Sequence, residues 1–151
     1  MKPILHWIAA WIIAALVTFA LASVFHSQFV LYELSRLNIA IPSSEWVSMT
    51  LSDFIGLLPS YGGAIAFALL MGFIILTGVN RYVGQVPRWL FPFAAAFAMA
   101  VMLLAMQPIL NVTLIAGARS TLGFLFQCAA GLMGGYVFAR IISQKHTSVS
   151  M

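Results

Sequence analysis

Residues 4–25 read ILHWIAAWIIAALVTFALASVF and contain no Lys, Arg, Asp or Glu. A helix of this length is about 33 Å long, which matches the roughly 30 Å hydrocarbon core of a bilayer. Backbone N–H and C=O groups in lipid must be satisfied within the segment, so a helix is the form expected for this stretch. The stretch therefore predicts a membrane-spanning helix near the start of the chain.

Three further apolar stretches have lengths close to that of the first. They cover residues 61–79, 89–106 and 121–142. At 151 residues the chain has the length of one domain. The sequence therefore predicts an all-α integral membrane protein, a single domain of residues 1–151 that folds as a four-transmembrane-helix bundle.

The composition excludes an ordinary soluble domain. Hydrophobic residues make up 63% of the chain and charged residues 7%, against roughly 25% charged residues in globular proteins. The net charge is +4, but the basic residues are scattered at the ends of the apolar stretches. Because no basic cluster is present to contact phosphates, we expect the lipid bilayer and not a nucleic acid as the partner.

The first stretch has a second interpretation. Lys2, an apolar segment and then Ala20-Leu21-Ala22 are also typical of a secretory signal peptide with its cleavage site. Cleavage would leave three spans and an external N-terminus. The stretch is longer than a usual signal core and apolar residues continue after Ala22, which favours retention of the helix.

The basic residues are unequally divided between the two sides of a four-span arrangement. One side has Lys2, Arg81, Arg88, Arg140 and Lys145, and the other has Arg36 and Arg119. Cytoplasmic loops of membrane proteins have an excess of Lys and Arg. The asymmetry predicts that both termini lie in the cytoplasm. We expect a multi-pass protein of a bacterial inner membrane.

The outer loop, residues 26–60, is long and only partly hydrophilic. Its sequence Pro42-Ser43-Ser44-Glu45 is typical of a helix start. An apolar stripe follows at Val47, Leu51, Phe54 or Ile55, and Leu58. We predict a short amphipathic helix on the outer membrane surface or over the end of the bundle. Pro59 should end it, and Gly62-Gly63 should turn the chain into the second span.

Small residues recur at four-residue spacing in the spans. Gly131 and Gly135 form such a pair, Gly134 follows Ala130, and Gly72 follows Ala68. Small residues allow helices to approach closely in lipid. We expect these glycines to pack helices together, either within the bundle or against a partner membrane protein or a second copy of the chain.

Polar residues at the outer end of the third and fourth spans are the candidate binding residues. They are Gln107, Asn111, Arg119 and Gln127, with Asp53 of the loop helix within reach. Gln127 is two turns deeper than the others, and we expect it to hydrogen-bond another helix. Arg119 lies near a helix N-terminus, where an anion or lipid headgroup is favoured. Alternatively, Arg119 pairs with Asp53 and closes the outer end of the bundle.

The remaining residues do not form a cofactor or catalytic motif. The three histidines are far apart in the sequence, and Cys128 is the only cysteine, so we predict neither a metal site nor a disulfide. With no catalytic signature and three acidic residues in all, we expect a non-enzymatic accessory or scaffold subunit of an inner-membrane complex. Its glycine-rich fourth span and long outer loop would be the recognition surfaces. The alternative is a small oligomeric channel or carrier with an outer entrance near Arg119.

Overall fold

The computed structural model describes residues 2–36, 43–84, 86–110 and 121–147. These residues form helices and the turns beside them, with no strand in this part of the chain. The helices are α1 (Lys2–Arg36), α2 (Ser43–Leu57), α3 (Gly63–Val83), α4 (Leu90–Leu110) and α5 (Thr121–Thr147). A π-helical segment, Leu58–Gly62, joins α2 to α3 and is called the π turn below.

Three helical stretches are long and apolar enough to cross a membrane. They are Ile4–Tyr32, Thr50–Tyr82 and Thr121–Ser143. A further apolar stretch in the described residues, Leu90–Met106, is shorter. The prediction of an all-helical chain is therefore confirmed for the described residues, and three of its helical stretches are long and apolar enough to span a membrane.

The path from α2 to α3 differs from the prediction. The α-helix α2 ends at Leu57, just before Pro59, but the backbone stays helical beyond it. Pro59 lies at the start of the π-helical segment, where a missing N–H is best tolerated. Gly62 and Gly63 do not turn the chain, since both have ordinary right-handed helical angles, φ −61° and −62°. The result is one apolar helical stretch in place of a loop helix followed by a separate span.

The predicted apolar stripe of α2 is only partly packed against the rest of the described chain. Val47, Leu51 and Ile55 are largely exposed. Phe54 is the residue that packs inward, with its ring 4.9 Å from the ring of Phe19 on α1. The rest of the described chain therefore leaves most of the predicted stripe of α2 uncovered.

The first and last helices lie side by side in opposite directions. His6 Nε2 is 3.2 Å from the carbonyl oxygen of Ile141 near one end of the pair. Gln127 Nε2 donates to the carbonyl oxygen of Ala22 farther along. Early residues of α1 thus match late residues of α5, which defines an antiparallel pair.

An aromatic cluster joins α1, α3, α4 and α5 at the end where α1 begins. The rings of Phe73 and Phe138 stack with centroids 3.9 Å apart. Trp7 meets Phe138 edge to face at 5.5 Å, and Phe91 lies 5.2 Å from it. Such contacts add to the packing energy of buried aromatic residues, so this cluster fixes four helices at one level.

A tight turn connects α3 to α4 at the same end. Gly84 adopts a left-handed conformation, φ 83°, and its N–H donates to the carbonyl oxygen of Asn80. The Asn80 side chain also accepts a hydrogen bond from the Val86 N–H at 2.8 Å. Glycine occupies this position because other residues rarely adopt a positive φ.

Candidate functional site

Hydrogen bonds between polar groups link three helical segments inside the core. The Tyr61 hydroxyl, in the π turn, donates to Gln127 Oε1 of α5 at 2.9 Å. Gln127 Nε2 then donates to the Ala22 carbonyl oxygen of α1 at 3.0 Å. Tyr61 is 2% exposed and Gln127 1%. We call Tyr61, Gln127 and Ala22 the core triad.

Further buried polar side chains of α1 lie close to Ala22 in the sequence. The Thr18 hydroxyl donates to the Ala14 carbonyl oxygen, and the Ser27 hydroxyl to that of Ser23. The Ser23 hydroxyl is itself buried and has no hydrogen-bond partner within the described residues. Polar groups are costly in hydrocarbon and are usually turned toward other helices, as they are here.

The chemistry of this region is that of neutral hydrogen-bonding groups. The triad consists of a phenol, an amide and a backbone carbonyl, so it can hold helices in register. The described residues contain no group of three His, Cys, Asp or Glu side chains that could hold a metal ion. Hydrogen bonds between membrane helices typically contribute about 0.6 kcal/mol each and at most roughly 2 kcal/mol.

The predicted binding residues have different positions. Asn111 and Arg119 lie outside the described residues. Gln107 and Asp53 belong to α4 and α2, but their side chains are not among those described. Gln127 is buried in the core triad and hydrogen-bonds α1, as its deeper position in the span predicts. The structure therefore brings Gln127 to Tyr61, which the sequence analysis did not single out.

The glycines of α5 face other helices of the same chain. A Cβ added to Gly135 would lie 2.6 Å from the Phe91 carbonyl oxygen of α4, and one added to Gly131 would lie 2.9 Å from that of Ala95. At Gly134 a Cβ would collide with the Thr18 hydroxyl of α1. Small residues at these positions therefore let α5 approach both α1 and α4.

Gly72 has the same role between α3 and α4, with less crowding. A Cβ added there would lie 3.2 Å from the Ala98 Cβ and 3.4 Å from the Ala94 carbonyl oxygen. Taken with the α5 glycines, all four predicted packing glycines lie at contacts within the chain. A recognition surface for a partner must therefore be sought on another face.

An open groove of about 570 Å³ runs along the outside of α3 and α4. Every residue that lines it is apolar, including Ala64, Ala68, Val79, Ala98, Val101 and Ala105. Between Ala64 and Val79 the groove follows α3 for about 22 Å, at 1.5 Å per residue. We call it the α3–α4 groove.

Two large aromatic side chains line this groove. Phe67 of α3 is 64% exposed and Phe97 of α4 is 72% exposed.

The sequence showed the small residues Ala68, Gly72, Ala94 and Ala98 but not that α3 and α4 would be neighbours. Tyr61 was missed because a single tyrosine at the start of an apolar stretch is also typical of an interface residue.

The chain matches no protein-family model, no curated protein and no solved structure.

Proposed function

We propose that the chain is a non-enzymatic, four-span membrane protein that acts as an accessory or scaffold subunit, and that it binds a transmembrane helix of a partner protein in the α3–α4 groove. In addition to the three long candidate spans, we take α4 as a span, since it continues to Leu110 over 21 residues. That length corresponds to about 32 Å, close to the thickness of a hydrocarbon core.

The observation behind this proposal is the form of the α3–α4 groove. Its lining is wholly apolar, and small residues such as Ala64, Ala68 and Ala105 keep it open. Helices associate in lipid through close packing on small residues, because lipid tails offer no hydrophobic drive. The glycine surface of α5 is already occupied by α1 and α4, so the groove is the small-residue surface left for a partner.

The contacts inside the core give less support to the alternative function, a channel or carrier. Such a protein needs a polar path, whereas the buried polar groups of the core triad are bonded to one another. The stacked rings of Phe73 and Phe138 fill the core at the opposite end. These contacts favour a packed scaffold over a conducting bundle.

Filling the groove should release the partner. We expect Ala68→Phe to reduce recovery of a co-purifying membrane protein in mild detergent at least several-fold, because the new ring occupies the space of the partner helix. The matched control is Ala9→Phe, at an exposed position of α1 outside the groove, which should leave recovery unchanged. Recovery is measured by quantitative mass spectrometry of the purified complex.

A photo-crosslinking residue in place of Phe97 locates the contact. We expect a single crosslinked partner from this position and none from Leu125, an exposed position on α5. Crosslinks only between copies of the chain would support the oligomeric alternative. Unchanged recovery with Ala68→Phe would remove the groove from the interface.

Orientation has its own test. Reporter enzymes fused after residue 151 or within residues 80–88 should report a cytoplasmic location, and one fused near Ser43 an external location. The reason is that five Lys and Arg residues lie on the side of the two termini and of the turn at residues 80–88, and only two lie on the other side. An external C-terminus would contradict this topology and would support a cleaved first helix.

A further inference from the structure

Two arginines lie near one another where α4 begins and α5 approaches its end. Arg88 Nη1 donates a hydrogen bond to the Ser143 hydroxyl at 2.8 Å. Arg140 Nε donates to the Tyr136 hydroxyl at 2.9 Å, and its guanidinium lies 5.5 Å from the centre of that ring. Both guanidinium groups are therefore held in place by neutral side chains.

The spacing along α5 brings the two charges to one face. Tyr136, Arg140 and Ser143 follow one another at four and three residues, so their side chains are neighbours on the helix surface. The Arg88 guanidinium lies at Ser143, and the Arg140 guanidinium turns back toward Tyr136. These two anchoring residues are about two helical turns apart, or roughly 10 Å along α5. Two positive charges on one face of the helix attract an anion to the surface between them.

No acidic side chain of the sequence belongs to the described segments that carry Arg88 and Arg140. The three acidic residues of the chain are Glu33, Glu45 and Asp53, in the last part of α1 and in α2. Glu33 is more than twenty residues along α1 from His6, which lies at the arginine end. The hydroxyls of Ser143 and Tyr136 satisfy individual N–H groups but leave the positive charges uncompensated.

The surroundings are those of a membrane–water interface. Trp89 is 63% exposed and Tyr82 is 91% exposed at this end of the helices. Exposed Trp and Tyr side chains collect at the depth of lipid headgroups. A guanidinium fork binds phosphate oxygens through two parallel hydrogen bonds. We propose that Arg88 and Arg140 together bind the headgroup of an anionic phospholipid in the leaflet that this end faces.

Lipid binding to single variants tests the proposal. Purified protein in mild detergent is titrated with phosphatidylglycerol, and native mass spectrometry gives the apparent Kd. Arg140→Gln and Arg88→Gln are each expected to weaken binding about fivefold or more. Arg81→Gln is the matched control, because Arg81 is exposed at the same end and the change in charge is identical. It should weaken binding less than twofold.

Two milder variants separate geometry from charge. Arg140→Lys keeps the charge but loses the planar fork, so it should recover only part of the binding. Tyr136→Phe keeps the ring and removes the hydroxyl that accepts from Nε, and it should weaken binding about two- to threefold. All variants should have wild-type melting temperatures in phosphatidylcholine, since the substituted side chains are exposed.

Three results would overturn the assignment. If Arg81→Gln weakened lipid binding equally, the lipid would be held by general electrostatic attraction and not by a defined site. Equal binding of phosphatidylcholine and phosphatidylglycerol would mean that net negative charge is not recognised. If inorganic phosphate alone competes as well as phosphatidylglycerol binds, the ligand is a soluble phosphate and not a lipid.

Discussion

Replacing Gly135 by alanine is expected to lower the free energy of unfolding by about 3 kcal/mol, or the melting temperature by on the order of 10 °C. The added Cβ would lie 2.6 Å from the Phe91 carbonyl oxygen and 2.7 Å from the Pro92 Cα. Both are backbone atoms of α4, so the contact is relieved only if α4 and α5 move apart. Thermal unfolding in detergent, followed by intrinsic fluorescence, measures the change.

Gly78→Ala is the matched control for this prediction. Gly78 lies inside α3, and a Cβ added there meets nothing within 4 Å. Alanine is a better helix former than glycine by about 1 kcal/mol, so this variant should be slightly more stable than the wild type. The same chemical change is thus expected to act in opposite directions at the two sites. Equal effects at Gly78 and Gly135 would contradict the close approach of α4 and α5.

Gln127→Leu is expected to cost about 2–3 kcal/mol, because it leaves the buried Tyr61 hydroxyl without its acceptor and removes the bond to Ala22. Tyr61→Phe should cost less, about 1 kcal/mol, since the amide keeps its bond to the Ala22 carbonyl oxygen. Unfolding in mixed micelles with increasing denaturing detergent gives the free energies of both variants.

The double variant separates hydrogen bonding from packing. With both Gln127→Leu and Tyr61→Phe, no unpaired hydroxyl remains, so the total cost should be smaller than the sum of the single costs. Strict additivity would mean that the Tyr61–Gln127 bond adds nothing to stability. In that case the two residues act independently, through their packing and, for Gln127, through its bond to the Ala22 carbonyl oxygen.

Apolar length was enough to predict the helices. Residues 4–25 and 121–142 lie within the candidate spans Ile4–Tyr32 and Thr121–Ser143, because a bilayer leaves such stretches no other satisfied backbone form. Pro59 predicted the end of α2 closely, but not that the backbone would stay helical from α2 into α3. A π-helical segment accepts a proline in its first turn, and nothing in the local sequence distinguishes that arrangement from a helix end.

Partners across helices could not be predicted in the same way. The spacing of Gly131 and Gly135 predicts a close contact but not which helix makes it, since every helix of the chain is apolar. Arg88 and Ser143 are 55 residues apart, and Tyr61 and Gln127 are 66 apart. Their proximity depends on the arrangement of the helices, which helical periodicity does not encode. The predicted residue Arg119 lies outside the described part of the chain.

The pairing of the first helix with the last has a consequence for biosynthesis. The Ala22 carbonyl oxygen and its donor Gln127 are 105 residues apart in the sequence. At ordinary translation rates of about 5–20 residues per second, on the order of ten seconds separate their synthesis. During this interval Thr18, Ser23 and the Tyr61 hydroxyl face lipid or the insertion machinery without the helix that later covers them. The nascent chain therefore reaches its packed state only after α5 has been inserted, and a chain that stops before Gln127 should be a substrate for membrane quality control.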